Sequence, residues 1–321
     1  MSVAARIVAA AVILGSCSGE PGRTATTSPA RSPVTVESVS TPTATASTLV
    51  VATTTSTTIA SSSHVTTDLT ATELAGELTS VERAAAAGDG SVGGRQQLLY
   101  RYLAAHADLD DAVLAGVGDD VRPSVERIVA ARQLGQARQA ANPNPSPPSP
   151  TLPAWTVVDP LSADELLGDY HDAETATGIA WYWLAAIHLQ ETRMGRIVGT
   201  SSAGAVGPMQ FLPTTWERCC TGDPTVPRDA IIGAATYLAQ SGGPADMQAA
   251  VHEYNPNDSY VATVTAFAEN LRDNPQLYLA YRGWQVFYAT SAGTVRLPVG
   301  YSAAEPIDAA TYLSEHPADA G

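Results

Sequence analysis

The sequence predicts a mainly α-helical protein in two parts, a small helical domain followed by a second α-rich domain, closed by a C-terminal β-hairpin. Three observations carry this expectation. Apolar residues recur at helical spacing through most of 68–140 and again beyond 160. A proline-rich run at 142–153 separates those two stretches and can be neither helix nor central strand. Near the end, 284–290 and 294–297 alternate in polarity around Ser291-Ala292-Gly293, the pattern of a hairpin.

Taken in order, the chain opens with Arg6 and the α-amino group ahead of an apolar run from Ile7 to Gly15. That run is a short secretory segment, too brief to span a bilayer. It ends in Leu14-Gly15-Ser16-Cys17, which resembles a lipobox, so 1–17 reads as a lipoprotein signal peptide with Cys17 as the lipidation site. The expected placement is extracytoplasmic, with a lipid anchor at Cys17 holding the chain to the outer face of the cytoplasmic membrane. From 18 to 67 the chain is dominated by Thr, Ser, Ala, Val and Pro and holds no Phe, Trp or Tyr. With nothing large to bury, this segment reads as a disordered tether.

Helical periodicity then runs through Leu74, Leu78 and Val81, through Leu98, Leu99, Tyr102 and Leu103, and through Val125, Ile128 and Val129. These place a helical domain at 68–141, with the linker 142–153 after it. Ser162 caps a polar helix to about residue 175, and 179–194 (IAWYWLAAIHLQETRM) is the most apolar helix of the chain, with Gly195 as its stop. Pro213 opens a short helix containing Trp216, and Pro227 and Asp229 start another to Gln240. A helix from Pro244 ends at Tyr254 because Pro256 forces Asn255 out of helical conformation. One more helix spans 275–281, the hairpin extension fills 284–304, and the Ala-, Asp- and Glu-rich 305–321 reads as a mobile tail.

A formal charge of −15, from 17 basic and 32 acidic residues, argues against a nucleic-acid partner, and no Lys/Arg cluster offsets it. The three cysteines and six histidines show no metal-ligand spacing, so no metal is expected, and no cofactor is implied. Cys219 and Cys220 are adjacent; a vicinal disulfide, pairing between molecules and buried thiols all remain open.

The chemistry centres on Glu191. Counting back by threes and fours from it gives His188, Ile187, Leu184 and Trp183, an apolar stripe that would strip water from the carboxyl group and raise its pKa. Such a group suits a general acid. Composition alone leaves an exposed helix-end glutamate equally open. Three segments then follow in order: Glu191-Thr192-Arg193-Met194-Gly195, Gly204-Ala205-Val206-Gly207-Pro208-Met209-Gln210, and Tyr254-Asn255. They resemble the goose-lysozyme-type lytic transglycosylase domain, over about residues 155–283, in the form found in lipoproteins of high-GC Gram-positive bacteria.

The resemblance implies a lysozyme-like α(+β) catalytic domain at 154–283 and peptidoglycan glycan strands as the partner; protein partners stay unknown. It implies Glu191 as the catalytic acid/base, with Thr192, Gly207, Met209, Gln210, Tyr254 and Asn255 lining the sugar groove and Tyr254 positioning the carboxylate. It further implies cleavage without water, giving 1,6-anhydro ends. Thr192 stands where many members have Ser. Glu253 replaces the usual Ala and is a possible second carboxylate, which would make the reaction a hydrolytic muramidase one. A wall-binding scaffold that keeps the groove without catalysis is the other reading.

Overall fold

The computed structural model describes Val65 and residues 68–321. The expected signal peptide with Cys17, and nearly all of the expected tether, lie outside the described residues. Four helices come first: α1 (Ala71–Ala86), α2 (Gly93–Ala105), α3 (Asp110–Gly116) and α4 (Arg122–Ala140). Thr70 begins α1 with a reciprocal cap, its side chain accepting from the Glu73 N–H while the Glu73 carboxylate accepts from the Thr70 N–H. Two short strands follow the proline run, β1 (Thr151–Leu152) and β2 (Thr156–Val157). Next come α5 (Ala163–Thr177), capped by Ser162 in the same reciprocal way, and α6 (Trp181–Thr192). Strand β3 (Ile197–Val198) precedes α7 (Pro213–Cys219), α8 (Pro227–Gln240), α9 (Met247–Tyr254), α10 (Asp258–Asp273) and α11 (Leu277–Arg282). The hairpin is β4 (Val286–Thr290) with β5 (Gly293–Leu297), and the chain closes with β6 (Ile307–Asp308) and α12 (Ala309–Glu315).

Helix α6 is the hub. Leu184 through Leu189 are at most barely exposed, because α5, α10 and α8 pack around it. Burying Leu184, Ile187 and Leu189 stabilises the fold by roughly 2 kcal/mol each. The first four helices do not enclose a core of their own. Leu74, Leu99, Val125 and Ile128 join Leu184, Phe267 and Tyr281 in one continuous apolar cluster. Helix α4 lies along α10, where Arg127 reaches Asn270 Oδ1 at 2.9 Å and Asp273 at 2.6 Å. Farther along, the Gln97 side chain exchanges two bonds with the Gln285 backbone, and Trp284 Nε1 donates to Gln96 at 3.0 Å.

A smaller cluster of Leu152, Trp155, Val157, Ile197, Val286, Val295, Leu297, Tyr301, Ala309 and Tyr312 is built from short antiparallel pairings. Val157 pairs with Ile197, and Leu152 with Ile307. The hairpin register sets Val286 opposite Leu297. The segment 305–321, expected to be a mobile tail, is instead structured. Its Ala-, Asp- and Glu-rich composition hides one anchor: Tyr312 is buried, and its hydroxyl donates to Asp319, which also pairs with Arg296. Pro244 sits in a cis peptide after Gly243, and α9 begins at Met247 under an Asp246 cap rather than at Pro244. No helix among the described residues is long and apolar enough to cross a membrane.

Candidate active site

The carboxyl group of Glu191 is set by how α6 ends. The sequence points to Gly195 as the stop, yet the last helical residue is Thr192. Arg193, Met194 and Gly195 then take left-handed backbone conformations at φ 55°, 57° and 88°. Two non-glycine residues in that region cost about 1–3 kcal/mol each, a strain characteristic of sites that surrounding packing over-determines. Thr192 holds the turn in place. Its Oγ1 donates to the Pro208 carbonyl at 2.6 Å and accepts from the Gly195 N–H at 3.1 Å. That hydroxyl therefore ties the helix end to the Gly204–Gln210 loop; it is buried and spent on the backbone.

Glu191 itself is 1% exposed. Its Oε1 accepts a 2.6 Å hydrogen bond from the Tyr260 hydroxyl, and its Oε2 has no protein partner. Burial pushes its pKa up to about 8, with the Tyr260 bond pulling the other way. The group is thus protonated at neutral pH, as the apolar stripe implies. Among the described residues no second carboxylate contributes to that shift. His188, one turn earlier, is fully buried, with Nδ1 2.8 Å from the Tyr170 hydroxyl. Burial holds its pKa down to about 3, so it stays neutral and supplies no charge to the site.

Tyr260 is the residue sequence reasoning missed. The family resemblance assigns the positioning role to Tyr254, but the Tyr254 hydroxyl donates to the Met209 carbonyl at 2.5 Å. Tyr254 is buried near Glu191 and fixes the loop rather than touching the carboxylate. Tyr260 stands on the first turn of α10. Asn257 caps that turn by accepting from the Ser259 and Tyr260 N–H groups. The only trace in the sequence is the Asn257-Asp258-Ser259 start signal, which places a tyrosine at the third position of a new helix five residues after Asn255.

The other loop residues are brought to this place with inward-facing roles. Gly207 (φ +75°) lets the loop lie against the Pro224 backbone, where a Cβ would stand 1.8 Å from the carbonyl oxygen. Gln210 is buried at φ 49°, and its Nε2 donates back to the Gly207 carbonyl at 2.8 Å, closing a tight turn. Met209 is a core side chain. Phe211 carries the packing on, edge-to-face with Trp216 at 5.1 Å and Tyr254 at 5.7 Å. Asn255 ends α9, half-buried beside Tyr254. The Tyr237 hydroxyl donates to the main-chain carbonyl of Glu253 at 3.0 Å. Cys219 and Cys220 form a disulfide at the end of α7. Among the described residues no group of His, Cys, Asp or Glu side chains is gathered for a metal.

Tyr260 stabilises the ionised form of Glu191, so Tyr260→Phe should raise the Glu191 pKa further. The expected result is a loss of about 10- to 100-fold in turnover, with the alkaline limb of the pH–rate profile moved to higher pH. A tyrosine that only filled space would leave that limb where it was.

No family model matches the chain, and no solved structure matches it. Among curated proteins, it is similar to the membrane-bound lytic murein transglycosylase F of Thiobacillus denitrificans, with 36% identity over 80 residues. The match covers 25% of this chain and spans 17% of the length of that relative.

Proposed function

We propose that the protein is a peptidoglycan lytic transglycosylase, with Glu191 as its single acid and then base. The observation that carries this reading is the state of that carboxyl group: buried, protonated near neutral pH, one oxygen held by Tyr260 and the other without a protein partner. In this reading the proton on Oε2 passes to the glycosidic oxygen leaving C1 of N-acetylmuramic acid. The Tyr260 hydroxyl stabilises the carboxylate so formed. That carboxylate then takes the proton of the sugar's own C6 hydroxyl as the C6 oxygen attacks C1. The acid is regenerated, a 1,6-anhydro ring closes, and no water is consumed. Because the nucleophile belongs to the substrate, its effective concentration is already high.

The dry surroundings of Glu191 favour that intramolecular attack over hydrolysis. They also require the side chains covering the carboxyl group to move aside when a glycan enters. Among the described residues no second carboxylate contributes to the raised pKa of Glu191, which supports the one-carboxylate route over a muramidase. The Leu14–Cys17 tetrapeptide supports placement on the outer face of the cytoplasmic membrane through a lipid on Cys17. The local similarity to a membrane-bound lytic murein transglycosylase supports the same substrate class.

Mass spectrometry of fragments released from purified peptidoglycan tests the reading. Anhydromuramic ends are expected from the wild-type chain and none from Glu191→Gln. Reducing ends would make it a hydrolase, and no release would favour a wall-binding scaffold.

A further inference from the structure

The proposed reaction makes no use of Cys219 and Cys220, the disulfide-bonded neighbours that end α7. A disulfide stabilises a fold mainly by closing a loop in the unfolded chain, and its effect grows with the length of that loop. Here the bonded residues are adjacent in sequence, so no distant segments are joined and almost no chain entropy is removed. Stability is therefore a poor explanation for the bond, and reactivity a better one. Both cysteines are half-buried, between exposed Glu217 and Arg218 on one side and exposed Thr221 and Gly222 on the other. Cys220 Sγ also lies 3.5 Å from the Gly233 carbonyl oxygen on α8. A disulfide sulfur has no proton to give that oxygen, whereas a thiol does. The surroundings thus hold an acceptor that only the reduced pair can use.

The pair stands behind the loop that borders Glu191. The bond closes a ring through a single peptide unit, at the point where Cys220 leaves α7 in extended conformation. Trp216, earlier on α7, packs its ring on Gly233, where a Cβ would lie 2.3 Å from Cζ3. Its Nε1 donates to the Gly222 carbonyl at 3.2 Å, so the chain folds back on α7 directly after the disulfide. Pro224 follows, with its carbonyl oxygen against Gly207. Gly207 adjoins Pro208, whose carbonyl accepts from Thr192 beside Glu191. Trp216 also meets Phe211 edge-to-face at 5.1 Å, and Phe211 exchanges two backbone bonds with Val206. A change in the path of 219–224 therefore reaches the loop both through Pro224 and through Phe211.

We propose that Cys219–Cys220 is a thiol–disulfide exchange site for a partner protein carrying a dithiol, and that its redox state sets the order of the Gly204–Gln210 loop. A thiolate of the partner attacks Cys219 Sγ, forming a mixed disulfide and releasing Cys220, which takes up a proton. The partner's second thiolate then attacks the partner sulfur of that mixed disulfide, and Cys219 leaves and is protonated in turn. Two electrons and two protons have passed to the pair, and the partner departs as a disulfide. The Cys220 thiol now donates to the Gly233 carbonyl, and the backbone at 219–220 is no longer held in a ring. The freed segment lets Pro224 draw away from Gly207, and the loop loses order. Exchange and loop response stand apart from the transglycosylase reading; the consequence for glycan cleavage rests on it.

Dithiothreitol, itself a small dithiol, serves as the probe on the full chain. Alkylation and peptide mass spectrometry are expected to find Cys219 and Cys220 both labelled after reduction of the folded chain, and neither labelled after reoxidation. Hydrogen exchange of the amides at 204–211 and 220–225 should be about tenfold faster in the reduced chain. Glycan cleavage should fall by a similar factor. A chain carrying both Cys219→Ser and Cys220→Ser should exchange like the reduced wild type and should not respond to dithiothreitol. A bond that resists dithiothreitol in the folded chain, or equal loop exchange in the two redox states, would overturn the proposal. Loop exchange that follows redox state in a chain that cuts no glycan would uphold this site and remove the transglycosylase reading instead.

Discussion

Glu191→Gln is expected to lower the rate of glycan cleavage by about 10³-fold or more while leaving the fold intact. Loss of a positioned acid removes typically 10²–10⁴ of rate, and here one group serves both proton transfers, which places the effect toward the upper end. The amide is nearly the same size as the protonated carboxyl group and can still accept from Tyr260. Its packing should therefore be retained. The same group also gives the protein a distinctive pH dependence. With a native pKa near 8 against 4.5 for the ordinary carboxyl group, the folded state keeps a proton that the unfolded chain releases. Stability is thus fully present below about pH 4.5 and declines as pH rises toward 8, by a total on the order of 4 kcal/mol. Glu191→Gln abolishes that slope, so the variant should unfold at a higher temperature than wild type at pH 8 and at about the same temperature at pH 4. Thermal unfolding at the two pH values measures this directly. Under the proposed function, kcat/KM of the wild-type protein should fall above pH 8, where Glu191 loses its proton in the free protein. A wild-type protein with flat stability between these pH values, or a Gln variant that cuts as fast as wild type, would remove Glu191 as the buried acid.

The second large effect is expected at Gly207. A Cβ there would lie 1.8 Å from the Pro224 carbonyl oxygen, at a φ of +75°. Backbone strain and a clash with main chain add, so Gly207→Ala should cost about 3 kcal/mol or more. Gly204, in the same loop at φ +81°, has open space where a Cβ would stand, with nothing within 4 Å, so Gly204→Ala should cost only about 1 kcal/mol. At roughly 2–4 °C per kcal/mol for a chain of this size, the two variants separate clearly in a thermal melt. Equal losses would mean that the loop yields at Pro224. The displaced Gly207 variant should also lose activity, because Met209 and Thr192 are both tied to this loop beside Glu191.

Much of this arrangement is legible in the sequence wherever one residue type answers to one local force. The apolar run before Gln190 announces a helix buried nearly all round, and α6 is the hub of the fold. Ser162, with Glu165 three residues on, announces the start of α5, and the alternation after Trp284 announces the β4–β5 hairpin. What escapes depends on contacts between distant segments. Tyr260 looks like any apolar position on a helix; its role comes from 69 residues of chain folding Glu191 back against it. Gln210 is expected at the substrate, but its own left-handed backbone turns its amide onto Gly207. The ordered terminus escapes for a similar reason. One tyrosine, Tyr312, outweighs the composition around it once Tyr301 and Asp319 are brought alongside.

The continuous core across the proline run has a consequence for ancestry. A helical domain with its own interior can be gained, lost or exchanged between genes without harm to its neighbour. The segment 71–140 has no such independence, since Leu99, Val125 and Ile128 belong to one apolar cluster with residues beyond 160, and Gln96 and Gln97 bond to residues 284 and 285. Relatives that carry the catalytic signatures but lack this segment would have to cover the exposed face of α10 with something else. Substitutions on α4 and α10 should accordingly be inherited in step, as the two sides of one interior.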